Sequence, residues 1–246
     1  MRIKLIACKV FMREISYMAS KSSNIVDITW LRQGYHNAPD TIRQILTEQI
    51  ERIDSGDDPT SCLAEVGEFD AIALGYGLCS NGIVGVSSKK HKLIIPKAHD
   101  CVTLFLGSRG RYDELFGGYE GGAYWYNAGW IENSGIPSQQ NAERQRERCV
   151  EMYGEENADY LLSMEQGWYN DYKYAVYINS GEYDFPDYSQ FTKDAAEYHG
   201  WKYNEVDGDF SLLEKLIAGH WDDDFLVLNP GETAEPSHDG EVIKVK

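Results

Sequence analysis

The sequence predicts an α/β protein: a Rossmann-like open parallel sheet with helices on both faces. Short apolar runs alternate with stretches in which apolar residues recur at helical spacing, and such alternation implies crossover connections between parallel strands. Hydrophobic residues make up 42% and charged residues 26% of the chain, which is typical of a protein that buries a core. We expect one α/β domain over 1–246, or two lobes at 1–110 and 140–235 joined by a Gly- and aromatic-rich segment, 111–139.

The first half of the chain predicts four strands and two helices. Apolar residues at helical spacing from Val10 to Met18 predict the first helix. The second helix has Pro39 in its first turn and a single apolar face, formed by Ile42, Ile45, Leu46, Ile50 and Ile53. The four apolar runs that predict strands are 3–7, 24–31, 69–76 and 92–96.

The second half begins irregularly and then resumes the alternation. Regular spacing is lost at 107–135, which predicts a long functional loop or a connection between domains. Gly200 is expected to end one helix, and Ser211 with Glu214 has capping-box spacing at the start of another. The predicted helices are 141–153, 156–166, 189–199 and 212–218, and the predicted strands are 174–179 and 225–228. The polar tail after Glu235 is expected to fray.

The charge and the cysteine content exclude several classes of protein. With 40 acidic and 23 basic side chains, the formal charge of −17 repels nucleic acid and anionic lipid, so neither is expected as a partner. The apolar run after Met1 is too short for a secretory signal, and no apolar run is long enough to cross a bilayer. Five widely spaced cysteines are typical of reduced thiols and not of a disulfide framework. We therefore expect a cytoplasmic protein.

Cysteine and histidine side chains follow the predicted strands at their carboxyl ends, where open parallel sheets bind ligands. Cys8, Cys79, His99 and Cys101 all map to this edge. On an extended backbone His99 and Cys101 would lie on the same face, and thiolates with an imidazole suit zinc or iron. Asp100 is expected either to orient a ligand or to cap the next helix. The sequence therefore predicts a metal site with a position left open.

Each of these residues also has a simpler interpretation. A free cysteine is usually a buried packing residue, and we assign Cys62 and Cys149 that role. A metal-free site is a second alternative, because Cys79 is expected at a helix amino terminus, where the helix dipole would favour a thiolate nucleophile. His99 would then be its general base.

A glycine-rich turn after the third predicted strand is a candidate phosphate site. Its backbone N–H groups could cradle a phosphate, although the spacing matches neither the dinucleotide fingerprint nor the P-loop motif. The candidate ligand-binding residues are Gly75, Gly77, Ser80, Asn81, Gly82 and Arg109. His36 is a further candidate for the same crevice, and Glu14, Arg109 and Arg111 are candidates for contacts with a substrate carboxylate or phosphate. The aromatic segment from Tyr124 to Trp130 could form a lid or a ligand wall.

Several of these motifs together resemble a known family. They are Ile6-Ala7-Cys8 with Glu14, the turn from Gly75 to Gly82, Pro96-x-x-His99-Asp100-Cys101 running into Leu106-Gly107-Ser108-Arg109, and Gly129-Trp130. Over almost the whole chain the sequence resembles the domain-of-unknown-function 1638 family of methanogens and other anaerobes. Members of that family are often encoded beside corrinoid-dependent methyltransferases, which implies a role in methyl-group or corrinoid metabolism.

These observations lead to three functional hypotheses. The first is a metal-thiolate protein of one-carbon metabolism in which Cys8, Cys79, His99 and Cys101 hold zinc or iron, or an iron–sulfur cluster. The second is a non-catalytic protein that binds a corrinoid, a metal or a small molecule for a corrinoid methyltransferase, with an exposed aromatic patch near Tyr124 to Trp130 as the contact surface. The third is the metal-free enzyme with Cys79 and His99.

Overall fold

The computed structural model describes residues 1–34, 38–59, 61, 67–120, 122–165, 167–237 and 241–246. These residues divide into two compact units: unit 1 comprises 1–111 and 209–246, and unit 2 comprises 112–208. The chain thus returns to unit 1 after Gly208. The expected second lobe, 140–235, differs from this division, because it includes most of the segment 209–246, which belongs to unit 1. In the part of the chain that is described, no helix is both long and apolar enough to cross a membrane.

Ten strands and nine helices are found in the described residues. The strands are β1 (Arg2–Cys8), β2 (Ile25–Leu31), β3 (Ala71–Gly75), β4 (Lys92–Pro96), β5 (Ala123–Tyr126), β6 (Tyr174–Ile178), β7 (Lys202–Val206), β8 (Phe225–Leu228), β9 (Ala234–Pro236) and β10 (Ile243–Val245). The helices are α1 (Met12–Lys21), α2 (Pro39–Ser55), α3 (Cys101–Leu106), α4 (Arg109–Gly118), α5 (Ala128–Asn133), α6 (Gln139–Tyr153), α7 (Glu155–Glu165), α8 (Ser189–His199) and α9 (Ser211–Ala218).

Unit 1 is built on a five-stranded sheet in the order β2-β1-β3-β4-β8, in which the first four strands are parallel. One face packs its apolar side chains against α2, in a cluster that includes Ile6, Leu74 and Ile95 with Leu46 and Ile50. Alternate side chains of the same strands point to the other face, where α9 contacts β3 and β4 and packs on α1. The expected α/β class, with a Rossmann-like, mainly parallel sheet, is confirmed.

The last part of unit 1 differs from the sequence prediction. Strand β8 has the predicted bounds, but it pairs antiparallel with β4, as in the pair Ile94 and Val227, and so closes the sheet edge. The described residues after Glu235 differ from the expected frayed tail, because β9 and β10 pair antiparallel and Ile243 is buried. Phe210, and not a capping-box residue, precedes α9; the Ser211 hydroxyl donates to the Gly107 carbonyl at 3.4 Å.

Unit 2 contains a smaller parallel sheet in the order β5-β6-β7. The segment 107–135, predicted to be irregular, supplies α4, β5 and α5, and glycines such as Gly117 and Gly129 lie within these short helices. The expected exposed aromatic patch is wrong: Tyr126 and Trp130 are buried, and the Tyr126 hydroxyl donates to the Pro137 carbonyl at 2.8 Å. Aromatic rings instead pack around Trp201, which stacks on Tyr124 and His199.

Candidate functional site

The strand order places a topological switch point between β1 and β3. From β1 the chain moves outward to β2 on one side, and from β3 it moves to β4 on the other, so the connections diverge above these two carboxyl ends. Open α/β sheets bind ligands in the crevice that this divergence leaves. Ala7 lies beside Gly75 in the parallel register, so Cys8 and the turn after β3 both leave the sheet at this point.

Cys8 is half-buried at the end of β1, directly before a 3₁₀ turn at Lys9–Phe11. Burial raises the pKa of its thiol to about 11, although hydrogen bonds from the backbone N–H groups of Val10 and Lys9 act in the opposite direction. The thiol is therefore neutral at pH 7, and two backbone donors are already aimed at the sulfur. Those donors would stabilise a thiolate once a proton is displaced.

Cys79 lies on the turn after β3 and is also half-buried. Burial raises the pKa of its thiol to about 12; the neighbouring Cys8 and Asp100 raise it further, and a hydrogen bond from the Gly77 backbone lowers it. Such interactions act at short range, and Cys8 and Cys79 also pack against the same apolar cluster of unit 1. The fold thus brings Cys8 and Cys79, which are far apart in sequence, into one neighbourhood that also contains the carboxylate of Asp100.

The turn that carries Cys79 has an unusual backbone. Cys79, Ser80 and Asn81 have φ values of 45°, 55° and 68°, three successive non-glycine residues in the left-handed region. This conformation costs roughly 1–2 kcal/mol per ordinary residue. Hydrogen bonds hold the turn: the Gly82 N–H donates to the Cys79 carbonyl at 3.0 Å, and the Arg43 guanidinium donates to the Asn81 carbonyl at 3.0 Å. Strain of this kind, held by its surroundings, is typical of functional sites.

The structure corrects the environment expected for Cys79. Residues 76–90 form turns and contain no helix, so no helix amino terminus lies at Cys79. Without a helix dipole to favour the thiolate, burial dominates and the pKa rises where the sequence analysis expected it to fall. It is Cys101 that lies at a helix amino terminus, as the first residue of α3.

His99 and Cys101 do not share an extended face. Strand β4 ends at Pro96, and the backbone turns into α3 at Cys101, so the alternation of a strand does not apply. His99 is exposed and Cys101 is half-buried. Asp100 caps α3, and its carboxylate accepts a hydrogen bond from the Thr103 N–H at 3.2 Å. The expectation that Asp100 caps the next helix is thus confirmed. A backbone contact joins Cys79 to His99, whose carbonyl accepts from the Cys79 N–H at 3.2 Å.

No three Cys, His, Asp or Glu side chains form a group able to hold a metal ion in the part of the chain that the structure describes. Within these described residues, the four expected ligands therefore do not form a preformed metal centre, although Cys8 and Cys79 lie in the same neighbourhood. Cys101 lies on the connection beyond β4, the strand next to β3 in the sheet.

The glycine-rich turn uses its backbone within the protein. Leu78, Cys79 and Gly82 donate their N–H groups to protein carbonyls, which does not favour the phosphate cradle. A Cβ on Gly77 would lie 2.8 Å from the backbone of Asp100, so this glycine allows two chain segments to touch. Candidate residues at the surface are Ser80 and Asn81, and the half-buried Arg109 begins α4. Gly75 and Gly82 also pack closely, against Ala7 and Ile42.

The remaining candidates lie elsewhere. Glu14 is buried in the first turn of α1, close in sequence to Cys8. Cys149 is half-buried on α6 in unit 2, and His36 and Cys62 lie outside the described residues. Neither the left-handed turn nor the effect of Asp100 on Cys79 was predicted from the sequence. The sole local hint of the turn was Asn81 followed by Gly82, since asparagine tolerates positive φ better than most residues.

Comparison with known proteins identifies a family but no characterised relative. Residues 30–217, well over half of the chain, match the family described as Protein of unknown function (DUF1638). No curated protein matches the chain significantly, and neither does any solved structure. The match spans β3, the strained turn with Cys79, and Asp100 and Cys101, whereas Cys8 precedes it. The family resemblance stated from the sequence is thus confirmed over residues 30–217, and the chain belongs to the DUF1638 family.

Proposed function

We propose that unit 1 binds a zinc or iron ion through the thiolates of Cys8 and Cys79, and that the bound metal takes part in methyl-group or corrinoid-linked one-carbon metabolism. One observation carries this proposal: two cysteines distant in sequence share a neighbourhood at the switch point of a parallel sheet. Paired thiolates are soft ligands that suit zinc and iron. The strained turn on which Cys79 lies supports a functional role for that residue.

The raised pKa values fit a site that exchanges protons for a metal. Both thiols are neutral at pH 7 because burial disfavours their anions. A divalent cation stabilises the two thiolates, which burial deprives of solvation, and it binds as the two thiol protons leave. The affinity for the metal therefore rises with pH. Two protein thiolates leave coordination positions for Cys101, His99, water or a substrate.

The open positions define the chemistry that we propose. Zinc would bind a substrate thiol and lower its pKa, producing a thiolate that accepts a methyl group. Iron, alone or in an iron–sulfur cluster with Cys101, would support redox or Lewis-acid chemistry. The link to corrinoids and to a methyltransferase partner rests on the family resemblance. We further propose a cytoplasmic location, because a reducing compartment keeps such thiols available.

Elemental analysis of protein purified without oxygen tests the metal site. We expect one metal ion per chain in the wild type, and its loss in Cys8→Ser and in Cys79→Ser. The matched control is Cys149→Ser, because Cys149 is also half-buried but lies in unit 2. His99→Ala and Cys101→Ser then show whether those side chains complete the site. Visible absorption separates an iron–sulfur cluster from colourless zinc.

Several results would overturn or redirect the proposal. Wild-type protein without metal, after growth with zinc and iron supplied, would overturn it, as would Cys8→Ser and Cys79→Ser variants that keep the metal content of the wild type. A stoichiometric corrinoid that is bound without methyl transfer would favour the delivery protein. Rapid alkylation of Cys79 in metal-free protein, slowed by His99→Ala, would favour the nucleophilic enzyme, although the raised pKa of Cys79 argues against it.

A further inference from the structure

Unit 2 contains a cavity of about 540 Å³ that is lined mainly by aromatic rings and is here called the aromatic cavity. Its walls come from a 3₁₀ turn at Gly167–Asp171, from the end of α8 and from the short link between α8 and β7. The ring-bearing residues that line it are Tyr169, Tyr172, Tyr198, His199 and Trp201. Small-molecule sites are typically concave spaces of this size with aromatic walls and a few polar groups.

The arrangement of these rings favours a compact ligand over a flat one. Tyr169 lies at 83° to Trp201 with 6.1 Å between ring centroids, and Tyr172 lies at 53° to Trp201 with 5.8 Å between centroids. Rings at such angles form walls on several sides of a space. The nearly parallel rings of His199 and Trp201 are already stacked, with 4.5 Å between centroids, and leave no gap in which a flat ligand could insert.

The aromatic cavity carries no positive charge and lies in a strongly acidic unit. None of the described residues that line it is Lys or Arg. Burial lowers the pKa of His199, so this imidazole is uncharged at pH 7 and does not repel a cation. Acidic side chains outnumber basic ones about threefold in unit 2, and burial together with the carboxylate of Asp171 raises the pKa of Tyr172. The electric field therefore favours a cation in this cavity.

Other aromatic rings of unit 2 already contact cations. The ammonium group of Lys193 lies 5.0 Å from the ring centroid of Tyr203, and that of Lys202 lies 5.8 Å from the ring centroid of Tyr174. Both distances are typical of cation–π contacts. Lys202 directly follows Trp201, yet its ammonium group lies over Tyr174, which does not line the cavity. A cation from outside the chain is thus the natural counterpart of the cavity rings.

We propose that the aromatic cavity binds the alkylated ammonium group of a small molecule through cation–π contacts with its tyrosine and tryptophan rings. A metal ion or a bare ammonium ion is strongly hydrated, and aromatic walls would not replace the oxygen atoms that it loses. Alkyl groups on the nitrogen spread the charge over an apolar surface that the rings can contact. The cavity is larger than such a group alone, so it also accommodates part of the molecule that bears the group.

Isothermal titration calorimetry of the full chain with tetramethylammonium chloride tests this inference. We expect saturable binding, whereas sodium chloride at the same concentrations and tert-butanol, an uncharged molecule of similar shape, should not bind. Tyr169→Leu should weaken the binding of tetramethylammonium about three- to tenfold, because leucine keeps an apolar wall but lacks the ring. The matched control is Tyr153→Leu, because Tyr153 is an exposed tyrosine of unit 2 on α6, and the affinity should be unchanged.

A second variant covers the case in which Tyr169→Leu does not fold. Tyr198 is 49% exposed, so Tyr198→Leu should stay folded by circular dichroism and should also weaken binding. Metal content should remain at the wild-type level in every variant, because this inference goes beyond the proposed function and uses no thiol. The inference is overturned if the wild type does not bind tetramethylammonium or binds tert-butanol as tightly. It is also overturned if folded Tyr169→Leu and Tyr198→Leu variants keep the wild-type affinity.

Discussion

Unit 1 contains a buried cluster of ion pairs, which can be compared with an exposed ion pair of unit 2. In unit 1 the ammonium group of Lys4 is fully buried and pairs with Asp27 at 3.0 Å and Asp58 at 2.6 Å, whose side chains are 9% and 4% exposed. In unit 2 the pair of Arg146 and Asp159 lies on the surface, at 50% and 66% exposure. The interior of unit 1 thus contains charges that cannot be left unpaired, whereas water screens the exposed pair of unit 2.

The largest effect is expected from breaking the buried pair. Lys4→Met would leave two buried carboxylates without their cation, which should lower the free energy of unfolding by about 3–5 kcal/mol. The matched change in unit 2, Arg146→Met, should cost at most about 1 kcal/mol, because water screens the exposed pair. Urea unfolding followed by circular dichroism measures both. Equal losses in the two variants would contradict the contrast between the units.

One glycine from each unit gives a second comparison, with a smaller expected effect. Gly77→Ala places a Cβ within 2.8 Å of the Asp100 backbone, and we expect a loss of about 1–3 kcal/mol from overpacking. Gly117→Ala lies on the exposed α4 with no atom within 4 Å of the new Cβ, so it should gain up to about 1 kcal/mol from helix propensity. Urea midpoints at unchanged slope would show both effects. A loss in both variants would mean that steric contact does not explain the difference.

The third contrast concerns left-handed backbone. In unit 1 the strained turn has Ser80 at φ 55°, whereas in unit 2 helix α8 ends on Gly200 at φ 71°. Ser80→Gly should stabilise by about 0.5–1 kcal/mol because glycine adopts positive φ without a steric penalty, and Gly200→Ala should destabilise by about 1 kcal/mol. Thermal unfolding checks the opposite signs. If Ser80→Gly destabilises, the turn is not strained as we infer.

Sequence predicted the elements well where local signals agreed with the fold. Helix α2 carries Pro39 at its start and a single apolar face, and β4 and α8 have the predicted bounds. The sequence did not predict that β8 pairs antiparallel, because a run of four apolar residues fits a parallel or an antiparallel neighbour equally well. The helices and the strand within 107–135 are too short for the spacing of apolar residues to predict them.

The candidate site was predicted in part for a similar reason. Cys8 and Cys79 follow adjacent parallel strands, so strand assignment alone placed them at one edge. The pairing of His99 with Cys101 failed because the backbone turns from strand into helix between them. The left-handed turn depends on contacts with residues distant in sequence, such as Arg43, which no local pattern encodes.

Acid should weaken the two units in different pH ranges, and this is the smallest effect we predict. The carboxyl group of Asp54 in unit 1 accepts from Ser88 at 2.7 Å and contacts His91 Nδ1 at 2.8 Å. Burial raises the pKa of Asp54, but these hydrogen bonds and that of the Lys89 N–H outweigh it, so the pKa is lowered below its usual value of about 3.9. The folded state then binds fewer protons than the unfolded state, and stability falls as pH drops below about 4.

In unit 2, His199 should act at higher pH. Burial among aromatic rings lowers the pKa of this imidazole below its usual value of about 6.5, because the charged form loses solvation. The unfolded chain therefore takes up a proton first, and the contribution of His199 is complete above about pH 6.5 and falls as pH drops through the folded pKa. His199→Phe should flatten the stability curve near pH 6, whereas Asp54→Asn should flatten it below about pH 4. Thermal unfolding of both variants across these pH ranges tests which group causes which loss of stability. If His199→Phe changed the stability only below about pH 4, or Asp54→Asn only near pH 6, the two assignments would be wrong.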